Sequence, residues 1–151
     1  MKFDMDESLG FILNKTALAS KAGFNRLIKN YEISPEQWSV IFRVVQNEKI
    51  GQKELADSTY KDQGNLTRMI DKLVEKGYLR KKLHESDRRA VELIATPKSK
   101  TLVKEIVPIS SMHNEQLTKD FTQEDKLKLT ELLDRVYKNI QNHPIKNSLN
   151  K

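Results

Sequence analysis

The hydrophobic spacing changes period at Gly77, and that change limits the folds open to this chain more than any other feature. Ahead of it, in "QGNLTRMIDKLVEKG", Leu66, Ile70, Leu73 and Val74 recur at the spacing of one helix face. Asp62 stands before that run as a capping residue, and Gly77 supplies a left-handed stop after it. Behind it, "YLRKKL", "HESDRR" and "AVELIAT" read as strand, turn and strand, with Val91, Leu93 and Ala95 alternating as a half-buried strand requires. A short helix in "QKELADST", with Leu55 and Ala56 turned to a core, precedes the pair.

Helices flank this centre on both sides. From Ser8 to Tyr31 the apolar residues Leu9, Ile12, Leu13, Ala17, Phe24, Leu27, Ile28 and Tyr31 predict a long amphipathic helix, loosened around Ala19–Gly23. "SPEQ" at Ser34–Gln37 combines a capping serine, a proline in the first turn and a glutamine that closes the box. It opens a helix through "WSVIFRVVQN", apolar on most sides and therefore buried. Thr96–Pro97 repeats the cap-then-proline signal and starts a helix through Leu102, Val103, Ile106, Ile109, Met112 and Leu117, with a kink expected at Pro108. Thr122 caps a last helix carrying Leu127, Leu129, Leu132, Leu133, Val136 and Ile140, and the tail "HPIKNSLNK" reads as frayed. No linker is long enough to divide two domains, so residues 1–151 are expected to form one, of mainly α class.

Charge locates the functional third. Residues 1–48 carry 6 Lys/Arg and 6 Asp/Glu, residues 49–100 carry 13 and 8, and residues 101–151 carry 8 and 7, so +5 of the net +6 lies in the middle. Positive charge gathered in this way is the electrostatic footprint of a nucleic-acid binder, although a solvated basic face is the plainer reading. Arg88 and Arg89 sit side by side at the hairpin tip, where they repel one another, an arrangement that becomes useful if the tip meets a polyanion. With 0 cysteines, thiol redox sensing and cysteine-ligated zinc are excluded. His84, His113 and His143 lack metal-ligand spacing, no nucleophile stands beside a base, and there is no glycine-rich phosphate loop. The expectation is therefore no enzyme, no cofactor and no metal. No apolar run approaches the ~18 residues of a membrane span. The N-terminus lacks the basic start of a signal peptide, which makes a cytoplasmic protein the simplest expectation.

Helix, short helix, turn, helix and hairpin follow in the order of a winged helix-turn-helix. The stretch "QKELADSTYKDQGNLTRMIDKLVEKGYLRKKLHESDRRAVELIAT" resembles the DNA-binding core of the MarR family of bacterial transcriptional regulators. The marks are an ELA-type first helix, the T-R-M-I-D-x-L-x-x-x-G-Y-L recognition helix, and a D-x-R wing tip followed by a strand and threonine. Two departures are Ser58–Thr59, where the family often has glycine in the turn, and "TPKSK", where a glycine often follows the threonine. The resemblance implies a winged helix-turn-helix core over about 35–96. It also implies long N- and C-terminal dimerisation helices over about 6–31 and 97–142.

What the resemblance implies about function has the same form. Double-stranded DNA is the partner, and a homodimer reads a palindromic operator with half-sites roughly 34–36 Å apart. On the recognition helix, Gln63, Asn65, Thr67 and Arg68 are placed for bases or phosphates, Gly64 for close backbone approach, and Lys72, off the apolar stripe, is a further DNA-binding candidate. On the wing, Arg89 enters the minor groove, Asp87 orients it, and Arg88 and Lys82 meet phosphates. Arg80 and Lys81 are further phosphate candidates. Family members commonly act as repressors that a small aromatic or phenolic ligand releases. Trp38, Phe42, Phe11, Tyr31, Met112 and His113 are candidates to line such a pocket, although aromatics at helical spacing are more simply core. The alternatives are a DNA-binding regulator with no small effector and a winged helix reused for protein interaction.

Overall fold

The structure, a computed structural model, describes residues 4–87 and 89–142. Arg88 and the tail from His143 onward, both singled out in the sequence, lie outside the described residues. In order the elements are α1 (Leu9–Ile28), a 3-10 turn (Lys29–Tyr31), α2 (Pro35–Gln46), β1 (Ile50–Gly51), α3 (Gln52–Thr59) and α4 (Gln63–Glu75). They continue with β2 (Leu79–Leu83), β3 (Val91–Ala95), α5 (Pro97–Leu117) and α6 (Gln123–Asn142). The architecture is mainly α with a winged helix-turn-helix at its centre. No helix among the described residues is long and apolar enough to cross a membrane.

Local signals account for most of the boundaries. Ser34 and Gln37 form the reciprocal capping box: the Gln37 N–H donates to Ser34 Oγ at 3.1 Å, and the Ser34 N–H donates to Gln37 Oε1 at 3.0 Å. Asp62 caps α4 by accepting the Asn65 N–H at 2.9 Å. Gly77 ends that segment at φ +77, a conformation in which a Cβ would be strained. Thr96 both donates to the Gly77 carbonyl at 2.7 Å and accepts the Ser99 N–H at 3.3 Å, so a single hydroxyl joins the end of β3 to the start of α5.

The hairpin pairs Leu79 with Ala95 through to Leu83 with Val91. A third strand not anticipated from the sequence, the two-residue β1, pairs Ile50 with Leu93 on the other side of β3, giving the sheet order β1-β3-β2. Two residues show no period, and this strand exists only because β3 offers a free edge.

The chain divides into two compact units between His113 and Asn114, within α5. The first holds the core, in which Ile28, Val40, Ile41, Val44, Leu55, Leu66, Ile70, Leu73, Leu93 and Ile106 are fully enclosed. Each such aliphatic side chain contributes about 1.5–3 kcal/mol by leaving water. The second unit holds α6, whose start is a capping box: the Asp125 N–H donates to Thr122 Oγ1 at 3.1 Å and the Thr122 N–H donates to Asp125 Oδ2 at 2.9 Å. No residue of α6 is buried.

One expectation is corrected. The stretch Ala19–Gly23 does not loosen α1, which is continuous from Leu9 to Ile28. Its Ser20 and Gly23 lie against His113 of α5 instead. A Cβ on Gly23 would lie 3.2 Å from the imidazole Cε1, Ser20 Oγ is 3.4 Å from Nε2, and the Phe24 ring centroid is 5.5 Å from that of His113. Close approach between elements, rather than a break in one, explains the glycine. Beyond Pro97, α5 runs on through Pro108 to Leu117 without interruption.

Candidate nucleic-acid interface

Helix α4 has two faces of opposite character. Leu66, Ile70 and Leu73 are fully buried, while Gln63, Gly64, Asn65, Thr67, Arg68 and Lys72 are exposed. All six sequence-predicted residues of this helix therefore share its outer side, and the core behind them fixes the helix rotation. A Cβ at Gly64 would meet only Asp62 Oδ1, at the ordinary contact distance of 3.4 Å. Packing within the chain thus leaves the space outside Gly64 open.

The polar groups of this face are already bonded to one another. Thr67 Oγ1 donates to the Gln63 carbonyl at 2.8 Å and accepts from Gln52 Nε2 of α3 at 2.5 Å. Arg68 donates through Nη2 to Asn65 Oδ1, and Asn65 Nδ2 donates to Asp62 Oδ2. The Asn65 backbone N–H, with the Asn65 side chain and the Arg68 charge adding to it, holds the Asp62 carboxyl below the usual aspartate range. Beside this face lies a cleft of about 590 Å³ whose walls include Gln37, Tyr60, Lys61, Arg68 and Lys72. At its rim, partial burial raises the pKa of Glu36, but the bond from Lys21 of α1, a backbone hydrogen bond and the Lys21 and Lys61 charges together outweigh that and leave it lowered.

The wing places its residues separately from the helix. Asp87, Arg89 and Lys82 are all exposed. Asp87 Oδ1 accepts the backbone N–H of Arg89 at 2.9 Å, so the brace expected between the two acts on the turn backbone. No ion pair engages the Arg89 guanidinium among the described residues. Lys82 pairs with Glu85 at 3.5 Å. Its neighbour Lys81 is held by Asp71 of α4 at 2.5 Å, a bond that ties the wing strand to the recognition helix. His84 supports the tip: its Nδ1 lies 2.8 Å from Ser86 Oγ, and its Nε2 lies 3.5 Å from Glu92 of the opposite strand.

Sequence reasoning missed Gln52 and Lys61 on this surface. The Gln52–Thr67 bond spans 15 residues, and no local pattern signals it. Among the aromatic pocket candidates, Trp38 is core and packs on Phe42 with centroids 5.3 Å apart, His113 is buried, and Phe11 and Met112 are exposed. Tyr31 lines a recess of about 370 Å³ together with Tyr78, Lys98, Thr101, Leu102 and Glu105.

An exposed, polar recognition helix seated on a three-helix core and followed by a cationic wing defines a winged-helix DNA-binding protein. Residues 33–91 match the model described as "MarR family". SarZ of Staphylococcus haemolyticus, an HTH-type transcriptional regulator, is 25% identical over 135 residues, covering 89% of this chain and 90% of its own. A mutant of Escherichia coli MarR complexed with operator DNA aligns at TM-score 0.80 and 25% identity, over 85% of this chain and 92% of its own. Bordetella bronchiseptica BpsR, studied for regulation of its DNA binding by 6-hydroxynicotinic acid, aligns at TM-score 0.86 over 91% of this chain and 98% of its own; at 20% identity it speaks for the fold. Residues 33–91 thus match the MarR family, and over most of its length the chain is similar to DNA-binding transcriptional regulators of that family.

Proposed function

We propose that this regulator is a repressor that binds a palindromic operator as a homodimer and is released by a small aromatic or phenolic ligand. The carrying observation is the two-faced α4, whose Leu66, Ile70 and Leu73 are enclosed while Gln63, Asn65, Thr67, Arg68 and Lys72 are offered outward. In this reading Gln63, Asn65, Thr67 and Arg68 meet base edges and phosphates, Gly64 lets the backbone approach, and Lys72 meets the backbone of the duplex. Arg89 enters the minor groove, where a narrow groove concentrates negative potential. Asp87 holds the turn that presents it, and Lys82 exchanges Glu85 for a phosphate. Arg88 is assigned a neighbouring phosphate on sequence grounds alone.

Dimerisation is supported by apolar surface on the terminal helices. Leu9 and Leu18 of α1 are 57% and 59% exposed, and Leu127 and Ile140 of α6 are 63% and 62% exposed. Large apolar side chains repeated along a helix mark a protein–protein contact. Two copies make a palindrome reader. For the ligand, the recess at Tyr31 and Tyr78 has aromatic walls and the Lys98 ammonium 4.4 Å from the Tyr78 centroid, a setting suited to an aromatic anion. Release then requires that the ligand favour one separation of the two recognition helices.

The test is binding to a duplex from the region upstream of the protein's own gene, against random duplex, at several salt concentrations. Selective binding with a log–log salt slope of several units, at ~0.9 per phosphate contact, is expected. Arg89→Ala should weaken it at least tenfold, since about 1.4 kcal/mol is one decade. Unselective binding indifferent to Arg89 would sink the wing assignment and favour a protein-interaction role.

A further inference from the structure

The capping residue of α4 differs from those of the other helices. Where a side chain caps α2, α5 or α6, a hydroxyl does it, from Ser34, Thr96 and Thr122 respectively. At α4 the cap is a carboxylate, fully exposed on the face offered to a polyanion. A negative charge there repels phosphates and weakens binding to every duplex alike. A serine would cap the helix without that penalty.

The second carboxylate oxygen is what a hydroxyl lacks. Oδ1 of Asp62 accepts the Asn65 backbone N–H, and Oδ2 accepts from Asn65 Nδ2. An ionised carboxylate only accepts and a guanidinium only donates. The Asn65 amide, bonded to both, has therefore a single orientation, with Nδ2 toward Asp62 and Oδ1 toward Arg68. One Nδ2 hydrogen and one Oδ1 lone pair remain, a donor and acceptor in fixed order, as the N6–N7 edge of adenine requires.

We propose, on the reading of α4 as the base-reading helix, that Asp62 is a positioning residue for specificity, setting through Asn65 which hydrogen-bonding groups Asn65 and Arg68 present to the bases. It contributes to discrimination between sequences and not to overall affinity. The ionisation the chain requires is consistent with the lowered pKa of Asp62, whose first cause is the Asn65 backbone N–H.

Asp62→Asn tests this directly. It keeps the shape and the cap but turns a donor toward Asn65. The Asn65 amide must then reverse and set its own donors against Arg68. Asp62→Ser keeps the cap and removes the second oxygen. The full-length protein, as wild type, as these two variants and as Arg68→Ala, would be used to select from a pool of random duplexes, with thermal melting as the control for folding. The expected result is that both Asp62 variants melt near the wild type and retain the half-site spacing. They should lose about tenfold in preference at the same base positions that Arg68→Ala relaxes. If Arg68→Ala relaxes those positions while both Asp62 variants keep the wild-type preferences, the proposal is overturned and the reading of α4 stands. Uniform loss at all positions would also overturn it, because that is the mark of a structural cap. If the wild type selects no motif, or Arg68→Ala leaves the motif intact, the reading of α4 fails and the proposal fails with it.

Discussion

Helices α4 and α6 each hold an aspartate at their N-terminal turn, as the cap itself on α4 and three residues beyond the Thr122 cap on α6, and end in different surroundings. Each opens with an aspartate bonded to backbone N–H groups, Asp62 to Asn65 and Asp125 to Thr122, and each carries an aliphatic stripe at helical spacing. On α4 the stripe of Leu66, Ile70 and Leu73 has no exposed surface. On α6 the corresponding Leu129, Leu132 and Leu133 are 40%, 42% and 45% exposed. Local capping and periodicity make a helix in both cases; only the neighbourhood decides whether its apolar face is covered. The covered face fixes the rotation of α4 and so aims its polar side outward. The uncovered face of α6 is free to serve another chain.

Truncating a covered stripe should have the largest effect. Ile70→Ala removes three fully enclosed carbons and is expected to lower stability by about 2–5 kcal/mol, read from the denaturant midpoint. An effect below ~1 kcal/mol would show that α4 is not held by the core and would erase its difference from α6. Second in size is Leu132→Glu on the uncovered stripe. It should leave the melting of the core nearly unchanged while shifting sedimentation from dimer to monomer and weakening operator binding. Unchanged sedimentation as a dimer would move the interface away from this stripe.

The smallest effect separates the two caps from the two faces. Both Asp62 and Asp125 have lowered pKa values, caused first by the backbone N–H of Asn65 and of Thr122 respectively. A depressed folded-state pKa adds stability that is fully present above the unfolded value, about 3.9, and is lost as pH falls through the lower folded value. Carboxyl titration followed by NMR should therefore place both below ordinary aspartates. Fraying of the first turns of α4 and α6 should appear only under that acid condition. Equal fraying of both helices at neutral pH would contradict the capping geometry.

Much of the candidate interface and of the frame around it was legible because it is written in short-range chemistry. Asp62 to Asn65, Ser34 to Gln37 and the left-handed Gly77 are contacts over three residues or fewer, or single-residue conformations, and each was placed from spacing alone. The polar side of α4 followed by subtraction, since whatever is off the apolar stripe faces out. The wing was legible as a hairpin, but the attachment of Lys81 to Asp71 and of Asp87 to the Arg89 backbone was not. Many side-chain rotamers satisfy the same sequence, and the packed turn selects one of them.

By itself the sequence determined the helices, their caps, the switch from helical to strand period at Gly77, and the cationic middle third. These depend on residues within a turn or two of one another, where hydrogen-bond reach and side-chain periodicity leave few options. The tertiary structure alone decided that Ile50 would pair with Leu93 and that Gln52 would hold Thr67 across 15 residues. It also decided that Gly23 would admit the ring of His113, beside a Ser20 that is 93 residues away in the chain. Contacts of that kind carry no period and no local signal. They form because the apolar faces, once buried together, bring distant polar and small residues within a few ångströms.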